Sequence, residues 1–121
     1  MLVDDDPDVR RSIGATLAAA GYEVIMAVDG DEALRHWRER NGADLVLLDL
    51  FMPGKDGLET ILELPSHAPG VPIIAMSGGG PTGRLDLLEH AKMLGAVETL
   101  EKPFSSRVLL EMVARLLVNA V

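Results

Sequence analysis

Aspartate side chains follow two separate apolar runs of the sequence, at the point where each run ends. Three consecutive aspartates, at positions 4–6, follow the first run, and Asp49 follows the third. Carboxylates that are forced together repel one another, and a divalent cation removes that cost. A site made only of oxygen ligands favours Mg²⁺ or Mn²⁺. An aspartate triplet alone is more often a helix cap, but a second source of acid at Asp49 favours a metal site.

The carboxylate of Asp49 is also a candidate nucleophile. A carboxylate can attack phosphorus and form an acyl phosphate when a metal offsets the charge of the incoming group. Residues 52–57, which follow, are rich in turn-forming types and would leave the carboxylate accessible. The alternative is an aspartate that only caps a loop.

A hydroxyl and an ammonium follow the last two apolar runs. Ser77 can donate a hydrogen bond to a phosphoryl oxygen, or merely bond within the glycine turn that follows it. Lys102 precedes Pro103, which favours an extended backbone, and it can reach an anionic cluster. Taken alone, it reads as a solvated surface lysine. The glycines after Ser77 do not form a nucleotide loop, because no lysine follows at P-loop spacing.

Short aliphatic runs alternate with amphipathic segments along the whole chain. The runs are typical of strands buried on both faces and cover residues 1–3, 23–28, 45–48, 71–76 and 97–101. The predicted helices cover residues 7–21, 29–42, 56–65, 84–94 and 105 onwards. Asp6 and Ser105 are predicted N-caps, and Pro65 is expected to end the third helix.

This strand–helix alternation, repeated five times, predicts an α/β fold with a parallel sheet and helices on both faces. Ligands of such sheets bind at the carboxyl ends of the strands. The acids, Ser77 and Lys102 all follow strands directly, so we expect them at one rim of the sheet.

Composition narrows the class of partner. A chain of 121 residues makes one domain, and a net charge of −8 disfavours direct binding to nucleic acid or an anionic membrane. The absence of cysteine excludes disulfides, thiolate metal sites and cysteine nucleophiles. No apolar run approaches the roughly 18 residues of a membrane span, and the first residues do not read as a signal peptide. We therefore expect a cytoplasmic protein.

Four segments carry a specific combination of motifs: residues 3–7, 47–57, 76–78 and 100–104. Together they resemble the receiver domain of two-component response regulators, of the chemotaxis-regulator kind. The resemblance covers essentially the whole chain and treats residues 1–121 as one receiver domain. It implies a flavodoxin-like, doubly wound, five-stranded parallel sheet in the order 2-1-3-4-5 with five flanking helices.

The resemblance also implies a metal site and a phosphoacceptor. Asp49 would accept a phosphoryl group from a sensor histidine kinase or a histidine phosphotransfer protein. Asp5 and Asp49, with the backbone carbonyl of Phe51, would ligate Mg²⁺, with Mn²⁺ as a substitute. Asp4 would act mainly through a metal-bound water.

Ser77 and Lys102 match the hydroxyl and the lysine that hold the phosphoryl oxygens in this family. Their movement would reshape the face made by the fourth helix, fifth strand and fifth helix, which would bind a downstream protein or an output domain. Such a protein is not an enzyme, beyond catalysing its own phosphorylation and slow autodephosphorylation.

The sequence departs from the family pattern at Thr99, where many receivers carry a switch aromatic. This keeps open a pseudo-receiver that binds proteins without phosphate. A phosphatase of the haloacid dehalogenase kind is disfavoured, because Phe51 stands where its second aspartate would be. A flavin site is disfavoured by aspartates after the first strand and by an aromatic content of 3%. We also expect a mobile loop at residues 78–83 and a short first strand.

Overall fold

Five strands and five helices alternate along the chain. The computed structural model describes residues 1–40, 42–51, 57–67, 71–78 and 84–119. The strands are β1 (Leu2–Val3), β2 (Met26–Ala27), β3 (Val46–Asp49), β4 (Ile73–Ser77) and β5 (Glu98–Glu101). The helices are α1 (Pro7–Ala19), α2 (Gly30–Arg40), α3 (Gly57–His67), α4 (Arg84–Leu94) and α5 (Ser106–Asn119). All strand pairs are parallel and their order is β2-β1-β3-β4-β5, which confirms the predicted topology.

Side chains cap the helices where the sequence predicts it. The Asp6 carboxylate accepts hydrogen bonds from the first free N–H groups of α1, and Ser105 Oγ accepts one from the N–H of Val108 at 3.1 Å. Gly21 has a φ of 95°, which favours glycine, and follows the end of α1. These local signals fix both ends of α1 and the start of α5.

The core lies in two layers, one on each face of the sheet. Alternate strand residues point to opposite faces, so Leu48 joins the cluster that contains Trp37 and Ile61, whereas Leu47 joins the cluster that contains Leu109. Helices α2, α3 and α4 cover the first face, and α1 and α5 cover the second. The three central strands, β1, β3 and β4, are therefore buried on both sides. Because all the strands are parallel, their carboxyl ends lie at one rim of the sheet.

The second strand is shorter than predicted, and the first is short, as expected. The second run, residues 23–28, forms a strand only at Met26–Ala27. Its partner β1 has two residues, Leu2 and Val3, so the ladder cannot be longer. Both β1 residues are fully buried and pair on both sides, with β2 and β3.

The prediction that Pro65 ends the third helix is wrong, because α3 continues to His67. A proline in the last turn removes its own N–H but leaves the N–H groups of the following residues free to bond, so the helix can finish its turn. The predicted turn at residues 52–56 and most of the predicted mobile loop, residues 79–83, lie outside the described residues. Within the described ranges, none of the helices combines the length and the apolar character needed to cross a membrane.

Candidate functional site

The carboxyl ends of three strands bring a lysine between two buried carboxylates. Asp4 follows β1, Asp49 ends β3 and Lys102 follows β5. Lys102 Nζ lies 2.7 Å from Asp4 Oδ2 and 3.5 Å from Asp49 Oδ1. Asp4 is fully buried and Asp49 is 4% exposed, and the ammonium of Lys102 offsets part of their negative charge inside the protein.

Asp5 completes a cluster of three carboxylates with Asp4 and Asp49. One oxygen from each lies within 4.8 Å of the others, and Asp5 is the exposed member. Bonds of about 2.1 Å to Mg²⁺ place neighbouring ligand oxygens about 3–4 Å apart. Three carboxylates this close together provide the oxygen ligands that a hard divalent cation prefers, so the residues present fit such an ion.

Ser77 and Phe51 flank the cluster. Ser77 is 1% exposed and lies one residue beyond Met76, the register partner of Asp49 on the neighbouring strand. The N–H of Phe51 donates to Asp49 Oδ1 at 3.4 Å, and its ring is 67% exposed. Thr99, the position expected to hold an aromatic, is half-buried on β5 opposite Ala75.

The protein environment shifts the pKa values of Asp49 and Lys102 for different reasons. Burial raises the pKa of Asp49 to about 6, and the positive charge of Lys102 only partly opposes this, while the charge of Asp4 adds to it. For Lys102, burial acts to lower the pKa, but the hydrogen bond to Asp4 and the charges of Asp49 and Asp4 outweigh it and raise the pKa above its usual value. At neutral pH the Asp49 carboxylate is thus ionised at a cost that a cation would remove.

Comparison with known proteins decides the family. The sequence model of the response regulator receiver domain matches residues 1–114. The chain belongs to the response regulator receiver domain family. It is 37% identical over 122 residues to chemotaxis protein CheY of Treponema pallidum, covering 97% of this chain and 81% of that protein. It is 36% identical over 115 residues to response regulator protein FleR of Pseudomonas aeruginosa, covering 95% of this chain.

Solved receiver structures share the fold of this receiver domain. The receiver domain of NtrX from Brucella abortus superimposes with a TM-score of 0.88 at 32% identity, covering 96% of this chain and 95% of that one. A CheY-like receiver domain protein from Methanospirillum hungatei gives 0.87 at 28% identity, covering 98% and 92%. This receiver domain spans 24% of FleR and 46% of the transcriptional regulatory protein PrrA of Mycobacterium tuberculosis.

The raised pKa of Asp49 predicts a pH-dependent stability when divalent cations are removed by EDTA. The folded state holds the Asp49 proton more tightly than the unfolded chain, so the contribution of Asp49 to the free energy of unfolding falls as the pH rises from 3.8 to about 6 and stays low above it. Asp49→Asn lacks this cost. We expect it to be more stable than the wild type by about 2 kcal/mol near pH 7.5, and equally stable near pH 4.

Urea unfolding at the two pH values measures this difference. Asp44→Asn, which removes an exposed carboxylate outside the cluster, is the matched control and is expected to show no such stabilisation. A stability gain for Asp49→Asn that is equal at both pH values would contradict the assigned cause.

Arg10 is a site residue that sequence reasoning missed. Its Nη1 donates to the backbone carbonyl of Asp4 at 2.7 Å and so ties the first turns of α1 to the acidic loop. Long helical side chains point back towards the helix N-terminus, so an arginine four residues after the predicted cap Asp6 was the available signal.

Gly57 positions the backbone that carries Asp49. A Cβ atom at Gly57 would lie 2.5 Å from the Asp49 carbonyl oxygen and 2.6 Å from Leu50 Cα. Both neighbours are backbone atoms and cannot turn aside. The start of α3 therefore approaches the end of β3 more closely than any side chain would permit.

Gly57→Ala is expected to destabilise this receiver domain by about 1–3 kcal/mol, because the clash forces a backbone shift next to Asp49. Urea unfolding measures the loss. Gly14→Ala in α1 is the matched control, since its Cβ would meet only the end of the Met26 side chain, which can move. Equal effects of the two substitutions would contradict the steric role of Gly57.

Proposed function

We propose that this receiver domain accepts a phosphoryl group on Asp49, in a Mg²⁺-dependent step, from a sensor histidine kinase or a histidine phosphotransfer protein. The observation that carries the proposal is the placement of Asp49. Its buried carboxylate lies at the carboxyl end of β3, 3.5 Å from the ammonium of Lys102 and beside the carboxylates of Asp4 and the exposed Asp5.

The chemistry follows from the state of Asp49. With a pKa of about 6 the carboxylate is mostly ionised at neutral pH, as a nucleophile must be. An Asp49 oxygen forms a bond to phosphorus as the phosphorus–nitrogen bond of a phosphohistidine breaks. The nitrogen leaves with the electron pair of that bond, and the product is an acyl phosphate.

The acidic cluster is the proposed metal site. Asp5, Asp49 and the backbone carbonyl of Phe51 would hold Mg²⁺, and Asp4 would contribute through a water. Mn²⁺ has the same ligand preferences and is expected to substitute. The ion supplies positive charge that offsets the repulsion between the carboxylate and the incoming phosphoryl group.

Ser77 and Lys102 are the proposed holders of the phosphoryl oxygens. The Ser77 hydroxyl can donate a hydrogen bond and the Lys102 ammonium a charge-assisted one. The backbone N–H of Lys102 donates to the Ser77 carbonyl at 2.8 Å. A movement of either residue towards the phosphoryl oxygens would therefore also displace the other. The switch would therefore pass to the strand ends of β4 and β5.

The proposed output surface is the face of α4, β5 and α5. Apolar side chains are exposed on the two helices and beside the strand: Met93 on α4 is 82% exposed, Val97 just before β5 is 48% exposed and Val108 on α5 is 45% exposed. A downstream protein, or an output domain in a longer protein, would bind there. The excess of acid argues against direct contact with nucleic acid or anionic membrane. We propose that all 121 residues act as one domain in the cytoplasm.

Intact-protein mass spectrometry after incubation with a small phosphoryl donor, either an acyl phosphate or a phosphoramidate, tests this function. With Mg²⁺ we expect the protein to gain the mass of one phosphoryl group, and we expect hydroxylamine to remove that group. We expect EDTA to lower the initial rate of phosphorylation by at least about 100-fold. No turnover of external phosphate esters is expected. Absence of any uptake, in folded protein with Mg²⁺, would instead favour a pseudo-receiver, which Thr99 in place of an aromatic also permits.

A further inference from the structure

We propose that Gly78 is a positioning residue that directs Lys102 into the acidic cluster, by leaving space for the lysine stem. The chemical consequence of that placement rests on the proposed function of Lys102. The placement itself rests on contacts between the ends of β4 and β5.

Gly78 and Lys102 lie side by side at the rim of the sheet. Ser77 and Glu101 are register partners on β4 and β5, and the N–H of Lys102 donates to the Ser77 carbonyl at 2.8 Å. The next residue on each strand end is Gly78 and Lys102, so the parallel register sets them against each other.

The lysine stem occupies the space that a side chain at position 78 would need. A Cβ atom built on Gly78 would lie 2.9 Å from Lys102 Cδ, 3.0 Å from its Cβ and 3.4 Å from its Cγ. Contacts this short with three consecutive carbons mean that the stem runs across the bare face of the glycine. Lys102 is only 21% exposed in its side chain, consistent with a stem held against the protein.

The lysine has little freedom to move away from a larger residue. Its backbone is held by the bond to Ser77, and its ammonium is held 2.7 Å from Asp4 and 3.5 Å from Asp49. An added methyl group therefore requires a shift of a few tenths of an ångström, and a β-branched side chain requires the stem to leave its path. In the second case the ammonium withdraws from both carboxylates.

Backbone conformation does not explain a glycine at this position. Among the described glycines, a left-handed φ occurs at Gly21, Gly42 and Gly95, and not at Gly78. Other residue types can adopt the backbone of Gly78, so the close approach of Lys102 is the physical reason for glycine here.

The test compares wild type, Gly78→Ala and Gly78→Val by acylation of lysine with acetic anhydride in EDTA, followed by peptide mass spectrometry. A displaced Lys102 is more exposed and reacts faster. We expect a rise of about fivefold or more in Gly78→Val and a smaller rise in Gly78→Ala. Lys92, exposed on α4, is the internal control and should react equally in all three proteins.

Phosphate uptake then tests the consequence. We expect Gly78→Val to slow phosphorylation by about tenfold or more, because a displaced Lys102 ammonium no longer lies where it can hold the phosphoryl oxygens. In a Lys102→Ala background no stem remains to be displaced, so Gly78→Val should then change uptake by less than about twofold.

The outcomes separate the two proposals. Unchanged reactivity of Lys102 in both folded Gly78 variants overturns the positioning role, whatever the phosphorylation result. An equal loss of uptake with and without the Lys102 side chain also overturns it. Raised reactivity supports the positioning role, and if uptake is then unchanged, the assigned role of Lys102 in the proposed function is what fails. Gly78→Ala keeps the test decisive if Gly78→Val does not fold.

Discussion

Asp49→Asn is expected to lower the initial rate of phosphate uptake by at least about 10³-fold, because the amide oxygen is not a nucleophile and cannot form a stable acyl phosphate. The substitution is nearly isosteric, and removing a costly buried charge is expected to leave the protein folded. Intact-protein mass spectrometry with a small phosphodonor and Mg²⁺ measures uptake directly.

Asp44→Asn is the matched control, since Asp44 is an exposed aspartate outside the cluster. It is expected to take up phosphate at the wild-type rate. If Asp49→Asn still incorporated one phosphoryl group per chain at that rate, the phosphoacceptor would have to lie elsewhere.

Lys102→Met is the second substitution with a large expected effect. Methionine keeps an unbranched stem that can lie against Gly78 but lacks the ammonium that faces Asp4 and Asp49. A charge-assisted donor aimed at transferred oxygens is typically worth about 10²-fold in rate, so we expect a loss of that order at saturating Mg²⁺. The initial rate of uptake from a small phosphodonor is the measurement.

Two variants isolate the reason for that loss. Lys92→Met removes an exposed lysine from α4 and is expected to have no effect. Lys102→Arg keeps the charge but replaces a compact ammonium by a planar fork that does not fit the same space, so only partial activity is expected. Wild-type uptake by Lys102→Met would show that the ammonium is only the structural counter-ion of the buried acids.

Most of the fold was predictable from short-range patterns. Helix caps such as Asp6 and Ser105 mark their boundaries through hydrogen bonds to N–H groups two or three residues away. Strands buried on both faces read as aliphatic runs, and parallel strands place their carboxyl ends at one rim. The strand order came only from the family resemblance. The length of β2 depends on its pairing with β1, which is distant in sequence, and there the local pattern predicted too long a strand.

The sequence by itself determined the residue types at the rim, since each site residue follows an apolar run. Only the tertiary structure decided how they meet. Asp4 and Lys102 are 98 residues apart in sequence, and their 2.7 Å contact depends on strand order and register. Only the tertiary structure shows why Gly57 and Gly78 are glycines, because atoms of other segments lie where a Cβ atom would be. No spacing along the chain records what packs against a glycine, because that neighbour comes from another strand or helix.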